Sequence, residues 1–204
     1  DSRAMLLNSI LAGLFFHQGM YDQAEKSYQA TLSWVEKTNG ALSERFAWHL
    51  VALSDTKLLT NKFSDAFEDA ERAQAIYAKL SLKSSYEFAR LSYKKGVIAL
   101  LLNDIDTAQK NFTVSSVLFG SMPERKKEFA WSEQDLEFAK MLSDPGTSRD
   151  VLQRLVEYLR VLDGRYSDLL SQPIRERKVH LETVLKLKNK VTTVFRKMRD
   201  HPKA

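Results

Sequence analysis

The chain has 204 residues, 44% hydrophobic and 28% charged, a globular balance far from that of disordered chains and too short for several ordinary domains. It contains no cysteine, which excludes disulfide scaffolds, cysteine-ligated zinc and thiol nucleophiles, and only 7 Gly and 4 Pro, too few for a turn-rich β fold. The net charge of +5 is unevenly spread: residues 172–204 carry +7 and the remainder −2.

Ala, Leu, Lys and Glu, all strong helix formers, dominate, so the composition points to an all-α protein. No apolar run approaches the roughly 20 residues of a membrane span. The longest, residues 97–102, ends at Asn103-Asp104. A cytoplasmic location is the expectation. The chain begins at Asp1, and residues 5–16 have helical spacing without a basic leader, which reads as a cut through a longer protein.

In chain order, helical spacing predicts helices over 2–18 and 22–37, then 41–60 and 64–79, then 83–102 and 106–119. Asn39-Gly40 and residues 81–85 punctuate the pairs. A weaker fourth pair follows. One helix starts at Pro123 and runs to 142. Asp144-Pro145-Gly146 breaks it, and Ser148 or Asp150 caps another reaching about 162. A short turn or helix covers 165–171, and a long helix runs from Pro173 to about 199.

The segments 17–24, 59–66 and 101–108 align without gaps at a period of 42 residues. Four columns share a chemical type. Gly19, Asn61 and Asn103 tolerate the left-handed conformation that ends a helix. Tyr21, Phe63 and Ile105 offer a large apolar plug for the corner. Asp22, Ser64 and Asp106 are expected to be N-caps, with Glu25 and Gln109 completing capping boxes. Ala24, Ala66 and Ala108 are small enough for close helix approach. These units imply an α-solenoid of three to four helix pairs over 1–171, with repeats at about 2–40, 41–82, 83–122 and 123–171. Residues 172–204 form a basic C-terminal capping or linker helix.

Leu11, Ala12, Phe15, Gly19, Tyr21, Asp22, Ala24 and Tyr28 resemble, in order and spacing, the tetratricopeptide repeat (TPR) signature. Leu53, Phe63, Ala66, Ala70 and Ala73 fit a second copy; Gly96, Ala99, Asp106, Ala108 and Phe112 fit a third. Lys57 and Lys95 depart from the pattern, standing where it places core residues. The long period resembles TPR variants of kinesin light chains and bacterial regulatory proteins.

That resemblance implies a concave groove lined by the first helix of each pair. Its inner positions are Leu6, Ser9, Gly13, Phe16 and His17, then Trp48, Val51, Asp55, Leu58 and Leu59, then Arg90, Tyr93, Lys94, Val97, Leu100 and Leu101. A groove so lined suits an amphipathic helix or apolar peptide, with Phe16, Trp48 and Tyr93 as anchors and Asp55, Arg90 and Lys94 setting orientation. Trp48 and Leu59 equally suit packing against a neighbouring repeat or terminal helix. The Lys/Asn clamp of chaperone-tail-binding TPR domains is missing, since Ser9, Gly13, Val51 and Asp55 occupy its sites.

In the last helix Val184, Leu187, Val191, Val194 and Met198 make one apolar stripe, and Lys186, Lys188, Lys190, Arg196, Lys197 and Arg199 line other faces. Three readings stand: a cap showing its basic side to water, self-association through 174–200 or a link to another domain, and contact with nucleic acid or anionic membrane. The last is least favoured, with Phe195 as the sole aromatic. His17, His49, His180 and His201 are scattered without a metal-binding or catalytic pattern. Asp135 and Glu137, like Asp65, Glu68 and Asp69, read as solvated helix faces. The expected function is therefore a non-enzymatic protein–protein interaction module, without metal or cofactor. The alternative is a regulatory or sensor segment of a larger signalling or transcription-regulating protein, with the last helix coupling to an output domain or dimer.

Overall fold

In a computed structural model, which describes residues 2–143, 148–171 and 174–200, the described residues form nine α-helices and no strand. They are α1 (Ser2–Gln18), α2 (Tyr21–Asn39), α3 (Glu44–Leu59), α4 (Phe63–Lys79), α5 (Tyr86–Leu102), α6 (Ile105–Gly120), α7 (Lys126–Ser143), α8 (Ser148–Leu170) and α9 (Ile174–Asp200). The first six form three consecutive hairpins whose neighbours stack, α2 on α3 and α4 on α5. The predicted solenoid is present.

The corners are built alike. Gly19, Asn61 and Asn103 have φ of 84°, 63° and 65°, the left-handed region expected of them. The next residue's N–H then bonds back over five residues each time: Met20 to Phe15 O, Lys62 to Lys57 O and Asp104 to Ala99 O, all at 2.9 Å. Tyr21, Phe63 and Ile105 each open the following helix, half-buried. Ala24, Ala66 and Ala108 are fully buried. A fifth column, Ala12, Ser54 and Gly96, is also small and buried. At Gly96 an added Cβ would lie 2.7 Å from the Phe112 ring, so only glycine permits this approach of α5 to α6.

The capping expectation is corrected by two residues. The N-cap positions are Met20, Lys62 and Asp104, and only Asp104 caps with its side chain, accepting from Thr107 N at 3.1 Å. Asp22, Ser64 and Asp106 lie inside the first turn, where Asp22 and Asp106 favour the helix dipole. Glu25 instead pairs with Lys62 at 2.9 Å, and Gln109 donates to Ala139 O at 3.1 Å.

Two acids assigned to solvated faces are buried. Lys57 donates to Asp69 at 2.7 Å, and this pairing is how a lysine sits at a core position of α3. Lys95 is accommodated by Glu71 at 3.2 Å and Gln74 at 3.1 Å. Asp135, fully buried, accepts from Tyr93 Oη (2.8 Å) and Tyr158 Oη (2.7 Å) and pairs with Arg165 (2.7 Å). Arg165 also donates to Gln134 Oε1 at 2.7 Å and Trp131 O at 3.2 Å, tying α5, α7 and α8 together. Burial pushes both tyrosines well above their ordinary pKa, with Asp135 adding to it, so they stay protonated donors.

The fourth pair runs differently from its expectation. A single helix, α8, continues through Gly164 where two shorter elements were expected. The break at Asp144-Pro145-Gly146, the helix start at Pro173 and His201 lie outside the described residues, as do the side chains of Ser148, Asp150 and Arg199. Packed against α8, α9 then doubles back to reach α5 and α3. Its stripe is buried as expected: Val184, Leu187 and Val191 join one core with Val97, Leu100, Phe138 and Leu155, and Val194 and Met198 pack against it.

Candidate partner-binding groove

The inner face is built from α1, α3 and α5, and the predicted residues divide into two halves upon it. Six of them (Phe16, His17, Trp48, Val51, Asp55 and Arg90) line an open cavity of about 220 Å³ together with Tyr28 and Ala52. Phe16 and Val51 form its apolar floor, both buried. Trp48 stands on its wall, 52% exposed and edge-on to His49 at 4.9 Å between ring centroids. His49 is fixed by Arg45 O at 2.8 Å and Ser9 Oγ at 3.3 Å, and burial holds its pKa below the ordinary 6.5. Ser9 thus braces the tryptophan's neighbour, and Leu6, 52% exposed, lies one turn before it on α1.

The other half is covered by the chain itself. Asp55, Arg90, Tyr93, Lys94 and Val97 meet Val179, His180 and Thr183 of α9 around a cavity of about 120 Å³. Lys94 Nζ lies 2.5 Å from Asp55 Oδ1, and neither atom has a further hydrogen bond among the described residues. Burial lowers the Lys94 pKa, which Asp55 opposes. Arg90 pairs with Glu87 at 3.1 Å. Tyr93 is engaged by Asp135, as above. His180 stacks edge-on with Trp131 at 6.0 Å. Its pKa is also lowered, by burial first, with Arg90 and Lys94 acting the same way and Asp55 and Glu128 opposing.

The feature that sequence reasoning missed is how α9 is held. Lys178 donates to Phe16 O (3.2 Å) and His17 O (3.0 Å) at the end of α1. Lys186 donates to Leu59 O (3.5 Å) and to Asn61 Oδ1 at the end of α3. Lys190 donates to Leu101 O (3.4 Å) and Asn103 Oδ1 (2.6 Å) at the end of α5. Lys178 also lies 5.2 Å from the Tyr21 ring centroid and Lys186 5.8 Å from that of Phe63. Half-buried, these lysines address the same corner in three successive repeats. Lys186 and Lys190 were legible as basic residues of the last helix, but Lys178 and the corners that all three address were not.

Among the described residues no group of three or more His, Cys, Asp or Glu could hold a metal ion. No helix among them is long and apolar enough to cross a membrane.

Stacked antiparallel hairpins with a continuous inner face define an α-solenoid repeat protein. The family model "Tetratricopeptide repeat" matches residues 2–79, the first two of these hairpins. BtubC (BKLC) from P. vanneervenii is similar in structure, with a TM-score of 0.56 and 16% identity over 94% of this chain. This chain spans 64% of that structure's length. A crystal structure of nearly identical TPR-like repeats, assigned to a kinesin light chain of Podosopora anserina, gives a TM-score of 0.62. It is 11% identical, covering 95% of this chain and 97% of that one. At these identities the likeness concerns the fold alone. No curated protein matches the sequence.

Proposed function

We propose that this chain is a protein–protein interaction module that takes an amphipathic helix or apolar peptide along its inner face, in the cytoplasm and without catalysis. TPR repeats generally mediate protein–protein interaction, and the fold is typically a non-catalytic scaffold. The observation that carries the reading is Trp48. A large aromatic stands half in solvent on the concave wall, beside an apolar floor of Phe16 and Val51 and within reach of Asp55 and Arg90. Such an anchor, flanked by charges that fix orientation, is the usual centre of a binding hot spot. Entry begins at the open half, and Tyr93, Lys94 and Val97 become available to a partner only where α9 gives way.

The test compares wild-type and Trp48→Ala chains as bait in native extract, with captured proteins quantified by mass spectrometry. Truncating this exposed ring removes about 2 kcal/mol or more of binding, a loss of tenfold or greater, while circular dichroism and melting stay unchanged. A partner retained equally by both baits contradicts the groove. A second reading, a regulatory segment whose last helix relays binding, is favoured by the contacts of α9 with three inner helices.

A further inference from the structure

We propose that the three inner-helix ends form a lysine-reading ladder, and that the module's external ligand is a basic amphipathic helix taking the place of α9. The proposal rests on the groove reading above and deepens it.

A helix C-terminus presents carbonyls without intrahelical partners and about half a negative charge. The 42-residue period repeats that end three times, each followed by a left-handed Gly or Asn and then by Tyr21, Phe63 or Ile105. At the second and third ends the asparagine Oδ1 joins the carbonyl as an acceptor. Among the described residues Lys178, Lys186 and Lys190 make no ion pair with a carboxylate, so the main chain, the asparagines and the rings are what hold them. Burial lowers the pKa of Lys186 and Lys190, which marks these contacts as partly desolvated.

The ladder therefore recognises spacing and charge. Lysines eight and four residues apart lie about 12 Å and 6 Å along a helix. Any helix with cations at those intervals and an apolar stripe between them meets the same ends, whichever chain supplies it. Charge complementarity agrees: residues 1–171 carry −2 and residues 172–204 carry +7. An acidic helix would be repelled by all three ends. The C-terminal helix is then the groove's resident ligand, and its departure is the condition for partner binding.

The probe is a fluorescein-labelled peptide with the sequence of residues 178–198, titrated by anisotropy into the full chain. In one arm the chain carries Lys178→Gln, Lys186→Gln and Lys190→Gln. With its own three contacts weakened, it binds the peptide about tenfold more tightly than wild type, or better. A peptide with the same three substitutions loses that gain, and a scrambled peptide of equal charge does not bind. Should the triple variant fail to fold by circular dichroism, Lys186→Gln alone replaces it, with a smaller gain in the same direction. Equal binding by all chains, or no binding to a folded variant, overturns the ladder. So does concentration-dependent dimerisation of the chain without peptide in sedimentation, which would make the ligand a second copy. Peptide failure with Trp48-dependent capture intact refutes this proposal alone. Peptide success with capture indifferent to Trp48 refutes the groove reading instead.

Discussion

At equivalent sites one period apart, the same residue type has different consequences, and stacking decides which. Leu11, Leu53 and Lys95 share a column, but Leu53 is 2% exposed beneath the preceding hairpin and Leu11 is 44% exposed. Leu53→Ala is expected to cost about 2–5 kcal/mol and Leu11→Ala under about 1 kcal/mol, read by urea denaturation. Equal costs would mean that the first helix is covered in solution. Gly96→Ala, forced against Phe112, destabilises by about 1–3 kcal/mol although alanine is the better helix former; a neutral or stabilising result would show that the α5–α6 approach is looser than described. Asp135→Asn strips the charge partner from buried Arg165 and costs about 3–5 kcal/mol. A change within the error of the melt would place Asp135 in solvent after all. The sequence could show a left-handed corner at Gly19, Asn61 and Asn103, because that chemistry is local. It could not show Asp135 buried, because α7 is covered on two sides and single-helix patterning sees only one.

Among the elements, the first six helices were legible to within three residues at each end, since apolar period and punctuation agree there. Their N-caps were not, because Met20 and Lys62 occupy positions with no capping side chain. The path of α9 was least legible. Its stripe was readable as period, but its dock depends on three corners brought into line only by stacking. That dock has a pH signature through His180. Its folded pKa lies below 6.5, so the folded state prefers the neutral ring. Stability is therefore full above the unfolded value near 6.5 and falls as pH drops through it toward the depressed folded value. His49 shifts the same way. Thermal melts from about pH 7.5 down to 5.5 should show a falling midpoint that His180→Gln flattens in part and His49→Gln/His180→Gln flattens further. An unaltered slope in the double variant would mean that neither imidazole is held neutral.

At the scale of the whole molecule, three hairpins stack in sequence, and the chain's own last helix packs on α3 and α5 with a lysine at the end of each of α1, α3 and α5. Hydrogen–deuterium exchange of the full chain addresses that arrangement directly. Amides of residues 178–194 should exchange slowly, alongside those of α5. In the chain carrying Lys178→Gln, Lys186→Gln and Lys190→Gln, protection should fall together in α9 and in the last turns of α1, α3 and α5. Prompt exchange of residues 178–194 in the wild type, or a loss confined to α9 in the variant, would contradict it.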